Sequence, residues 1–167
     1  MYLVLDPQPG SEGEMERIAV ICLGNILRGD DGLGVYLKSI LENRFEHFDF
    51  IDGGICGSRI IDILSRYRKV IIIDSSDFGG EIGEVREFNL NEIRERDISS
   101  VHFLNLGRLI ELSRLLYNRP EDVTILCVQV ENMSFGRGLS SSVEKNLDNI
   151  VEKIEKFLLE IAQPTVH

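Results

Sequence analysis

Four short apolar runs, rich in β-branched residues, set the strongest limit on what this chain can fold into. They occupy residues 18–23, 48–51, 70–73 and 123–130. Runs that stay apolar instead of alternating belong to strands covered on both faces, as in a parallel sheet sandwiched between helices. Between the runs the period changes. Leu33, Leu37, Ile40 and Leu41 form one helical stripe, and Ile60, Ile61, Leu64 and Tyr67 form a second behind Ser58, a capping candidate. Leu106, Leu109, Ile110 and Leu116 predict a third helix, opened by Ser99 and Ser100. Val143, Leu147, Ile150, Val151, Ile154, Leu158 and Ile161 predict a fourth, with Ser141 and Glu144 as its capping box. Strands alternating with helices predict a single-domain three-layer α/β/α sandwich on a mostly parallel, doubly wound sheet. Residues 83–89 (GEVREFN) alternate in polarity and follow a Gly-rich turn, which predicts one antiparallel edge strand.

Composition narrows the function. The 167 residues suit one domain, taken here as 17–162 with an N-terminal extension at 1–16 and a C-terminal tail at 163–167. Cys22, Cys56 and Cys127 are odd in number and far apart, which argues against a disulfide scaffold or zinc finger and for a reducing, cytoplasmic setting. With 28 acidic and 18 basic residues the net charge is −10, a field that repels nucleic acid and anionic membranes. The extension holds no basic residue, and no stretch reaches the ~18 apolar residues of a membrane span. A monomer acting on a separate partner is the expectation.

In open α/β sheets ligands bind beyond the carboxyl ends of the strands. Acids collect there: Asp30 and Asp31 within Gly24-Asn25-Ile26-Leu27-Arg28-Gly29-Asp30-Asp31-Gly32-Leu33-Gly34, Asp52 before Gly53-Gly54, Asp74, and Glu131. A lone Asp before a helix is most simply its cap. Adjacent carboxylates among glycines, however, repel each other unless a cation or proton is near. Neither GxGxxG nor GxxxxGK[ST] is present, so a phosphate cradle fits poorly. Asp31 and Asp74 suit a hard cation or a mixed oxygen and nitrogen metal site. Of the three histidines, His47 and His167 read as solvated, whereas His102 opens a helix and is either structural or a third ligand. Cys22 and Cys127 read as buried. Cys56 follows a strand end, where a thiolate ligand is a minor alternative. No Ser-His-Asp spacing, GxSxG elbow or HExxH helix occurs.

The run GNxLxxDDGxG from Gly24 to Gly34, Asp52-Gly53-Gly54, Asp74 followed by Gly83-Glu84-Val85-Arg86, and His102 together resemble the [NiFe] hydrogenase maturation endopeptidases. The likeness runs from about Ile18 to the last helix. It leans toward the branch that processes energy-converting, formate-hydrogenlyase-type and F420-reducing hydrogenases, although many relatives carry Gly where Cys22 stands. The resemblance implies an aspartic-type endopeptidase that removes a C-terminal peptide from the nickel-loaded precursor of a hydrogenase large subunit. It implies that Asp31, Asp74 and His102 meet nickel presented by the substrate, with no cofactor held permanently. Asn25, Asp30, Asp52, Gly53 and Gly54 would then shape the cleft and contact substrate. Two other readings use the same residues. One is a receiver-type phosphoacceptor with Mg²⁺ at Asp30 and Asp31 and the phosphoryl group on Asp74; the other is a non-catalytic nickel-site chaperone.

Overall fold

A computed structural model describes residues 16–95 and 101–162, without the side chains of 94, 95 and 101–104. The predicted extension and tail lie almost wholly outside these residues, as do Ser99 and Ser100. The chain runs β1 (Ile18–Leu23), a 3-10 turn (Gly29–Gly32), α1 (Leu33–Leu41), β2 (Phe48–Gly54), α2 (Arg59–Leu64), β3 (Lys69–Ser76) and β4 (Val85–Phe88). It continues through α3 (Leu90–Glu95), α4 (Val101–Tyr117), β5 (Asp122–Gln129) and α5 (Ser141–Ala162).

The five strands lie in the order β2-β1-β3-β5-β4. Pairings β1–β2, β1–β3 and β3–β5 are parallel, and β4 alone runs antiparallel, against β5. The predicted three-layer sandwich with one antiparallel edge strand is therefore what forms. Strand alternation sends side chains into two separate cores. Val20, Cys22, Ile71, Ile73, Leu126 and Val128 meet α1 and α5, whereas Ala19, Ile21, Val70, Ile72, Ile125 and Cys127 meet α2 and α4. Each central strand thus packs apolar side chains on both faces through its middle, and that is the source of the apolar runs.

Helix α1 leads outward from β1 to β2, and α2 leads back across to β3. The path reverses between β1 and β3, so a crevice opens at their carboxyl ends. Helix α4 ends at Tyr117, just before β5 begins, where the N–H groups of Glu121 and Asp122 donate to Arg68 O. Its 17 residues rise ~25 Å. Chain direction therefore carries its first turn toward the edge where the crevice lies.

Several local expectations need correction. Ser58 precedes α2 without a side-chain capping bond. The hydroxyl that caps α5 belongs to Ser140, not Ser141, and accepts from Val143 N–H at 3.3 Å. Strand β2 runs on through Asp52, Gly53 and Gly54. Tyr67 lies beyond α2, and its hydroxyl donates to Asp49 at 2.9 Å. Helix α3 is an addition to the predicted elements, in which Asn89 Oδ1 accepts from the N–H groups of Asn91 and Glu92 while Glu92 accepts from Asn89 N–H. That is a capping box with Asn in the Ser/Thr position.

Candidate active site at the carboxyl edge

The loop after β1 doubles back tightly over itself. A Cβ on Gly24 (φ +155°) would stand 2.2 Å from Asp31 O, and one on Gly34 only 2.0 Å from Leu23 O. Glycine at 24 lets the loop close, and glycine at 34 lets α1 rest directly on the backbone of β1. Asn25 holds the turn, donating its N–H to Asp31 O at 3.2 Å and accepting from Leu27 N–H on Oδ1 at 2.9 Å.

The N-cap position of α1 is Gly32, one residue past the acidic pair. Asp30 is wholly buried. It accepts from Ser140 N–H at 2.6 Å, from the Ser140 hydroxyl at 2.9 Å and from Asn132 N–H at 3.0 Å. Asp30 therefore anchors both ends of the 132–140 loop. Asp31 is 6% exposed in a turn that packs against β3. Asp74 is 1% exposed at the carboxyl end of β3, one residue past the pairing of Ile73 with Cys22 on β1. It accepts from Ser75 N–H at 2.9 Å. Both residues thus stand at the carboxyl end of the β1/β3 pair. His102 lies in the first turn of α4, and its side chain falls outside the described residues. Among the described residues no three His, Cys, Asp or Glu side chains group to hold a metal ion.

Asp52 Oδ1 accepts from Gly54 N–H, and Gly54 O accepts from Gly24 N–H, both at 2.9 Å. This turn, with Ile55, Gly57, Arg59, Ile60 and Ile63, lines a cavity of about 300 Å³ beside the crevice. The cysteines supply no nucleophile. Burial, with a smaller contribution from the Asp74 charge, pushes the Cys56 thiol up to about 11, and Cys56 turns into the α2–α4 core. Burial pushes Cys22 and Cys127 up to about 12. All three are protonated at neutral pH, so none offers a ready thiolate nucleophile. His47 is exposed, with its carbonyl facing Ile18 N–H at the amino edge of the sheet.

Two residues that organise the site carry no advance signal in the sequence. Ser140 is one. Gln129, 3% exposed at the end of β5, is the other. Its Oε1 accepts from Phe78 and Gly80 N–H, and its Nε2 donates to Asp77 Oδ1 and Val130 O. Three of its four amide hydrogen bonds order the loop after β3, and the one to Asp77 holds that carboxyl below the usual range.

A family model described as hydrogenase maturation protease matches residues 35–157, a span holding Asp74 and the His102 position and starting just after Asp31. The coenzyme F420 hydrogenase subunit delta of Methanothermobacter thermautotrophicus is 28% identical over 150 residues, covering 83% of this chain and 92% of that protein. Among solved structures, the hydrogenase maturating endopeptidase HybD of Escherichia coli superposes with a TM-score of 0.74 at 25% identity, over 87% of this chain and 94% of that one. The HybD maturation protease of Thermococcus kodakarensis gives a TM-score of 0.70 at 26% identity, over 84% and 98%.

Proposed function

Because the chain belongs to the hydrogenase maturation protease family, we propose that it removes a C-terminal peptide from a [NiFe] hydrogenase large-subunit precursor and reads the nickel that precursor carries. It is a hydrolase, a peptidase of hydrogenase maturation. The observation that carries the residue assignment is the pair of buried carboxylates, Asp31 and Asp74, at one crevice where every described thiol is buried and neutral. Two anionic oxygens with an imidazole from His102 would suit a divalent transition metal that the substrate brings. Metal seated there would polarise the scissile carbonyl or a water, and a carboxylate would take the proton as general base. Asp52, Gly53 and Gly54, beside the cavity, would receive the peptide on either side of the cut. We place the reaction in the cytoplasm, on a monomer without nucleic acid or membrane. The net charge of −10 and the free cysteines support that setting. No helix among the described residues is long and apolar enough to cross a membrane.

The phosphoacceptor reading is not supported. Gln129, not a lysine, ends β5, and the Asp30 carboxylate is already taken up by Ser140 and Asn132. The chaperone reading has no support from a family of proteases.

The test is mass spectrometry of a large-subunit precursor from the same organism, with and without nickel, after incubation with the protein. Loss of one C-terminal peptide from the nickel-loaded form alone is expected. Asp31→Asn and Asp74→Asn should each lower kcat/KM by about 10²-fold or more. Equal cleavage without nickel overturns metal reading, and a precursor that binds but stays whole restores the chaperone.

A further inference from the structure

Four large apolar side chains are exposed on the loops at the carboxyl edge: Ile26 (53%), Leu27 (43%), Ile55 (65%) and Phe135 (89%). Leu27 and Phe135 stand on backbone that is cross-braced. Gly136 N–H donates to Leu27 O and Gly29 N–H to Gly136 O, both at 2.9 Å, and Arg28 Nε donates to Met133 O at 3.3 Å. A braced aromatic side chain sacrifices little conformational freedom on docking, and its exposure to water is a standing cost that a partner would relieve. Arg137, two residues from Phe135, is exposed and makes no ion pair among the described residues, although the chain carries a net charge of −10. The complementary surface is therefore an apolar pocket with a carboxylate at its rim.

We propose that Leu27 and Phe135 form the dock for the folded body of the large-subunit precursor, the Phe135 ring entering an apolar pocket and Arg137 pairing with an acid beside it. This rests on the endopeptidase reading. The same two loops are the ones that Asp30 binds together next to Asp31. A body seated on them is continuous with the crevice, and its terminal segment would lie across Asp31 and Asp74. The dock thus recognises partner shape, separately from the metal.

Phe135→Ala and Arg137→Glu test it, with nickel-loaded precursor from the same organism as the probe and both cleavage kinetics and direct binding as readouts. Phe135 is nearly fully exposed, so neither fold nor thermal midpoint should move. Each variant should raise KM and the dissociation constant by about tenfold with kcat within about twofold, and Phe135→Tyr should restore wild-type values. Unchanged KM and binding, with wild-type protein cleaving normally, overturn the dock alone; a fall in kcat at constant KM does so too. Wild-type protein that neither binds nor cleaves the precursor overturns the endopeptidase reading and the dock with it.

Discussion

A carboxylate with no exposed surface needs its lone pairs filled, and Asp30 fills them with two N–H groups and a hydroxyl that reach it from 102 and 110 residues along the chain. Removing it leaves those donors buried without an acceptor. Asp30→Ala should therefore destabilise the fold by about 3 kcal/mol, read from the urea midpoint. A loss under about 0.5 kcal/mol would show that water replaces the carboxylate. The pairing of Asp30 with Asp31 was legible in the sequence as an anomaly, since adjacent acids among glycines are costly. Their division of labour was not. Local rules could weigh only a cap at α1, whereas the partners of Asp30 depend on how α5 returns across the sheet. Cys56 shows the same limit. Its position after a strand suggested the cleft, but a backbone φ of +61° turns it into the core.

At the level of elements, strands were read with the least loss. An unbroken apolar run has one stable environment, a sheet covered on both sides, and β1, β3 and β5 are that case. Helix ends were read less well. Ser141 and Ser58 looked like caps because the residue type fits. Whether a hydroxyl turns toward the helix depends on a rotamer and an entry angle that composition does not reveal. The Asn89/Glu92 box has the residue spacing of a capping motif, but the six-residue helix behind it is too short to show a periodic apolar stripe. Gly34 supplies an element-scale test. Alanine normally gains about 1 kcal/mol over glycine inside a helix. Here its Cβ would fall 2.0 Å from Leu23 O, and the carbonyl is fixed in the sheet. Gly34→Ala should thus lower stability by about 2 kcal/mol or more, as overpacking does, and displace α1. A thermal midpoint that rises would mean α1 does not rest on β1.

For the molecule as a whole, the sheet separates two cores that share its strands, so neither face is complete without the other. The doubly wound layout followed from the order of runs and stripes, and it located the crevice before any side chain was placed. What the sequence withheld at this scale was the bracing among loops far apart in sequence. Charge also acts at this scale. A net −10 on a chain of this size repels itself. Raising ionic strength from about 0.01 M to 0.15 M at neutral pH should therefore raise the thermal midpoint by a few degrees. A fall would show that surface ion pairs such as Arg68 with Glu121 contribute more than the repulsion costs. The bracing itself carries a consequence for how such a protein diversifies. The loops after β1, β2 and β5 are laced through Gly24 to Gly54 and Gly29 to Gly136. Lengthening or shortening any one would unpick the others and spoil the positions of Asp31 and Asp74. New partner preferences are therefore reached by exchanging side chains on a frame of constant length, and the positions free to be exchanged are those, like Ile26 and Phe135, that face outward from the lacing.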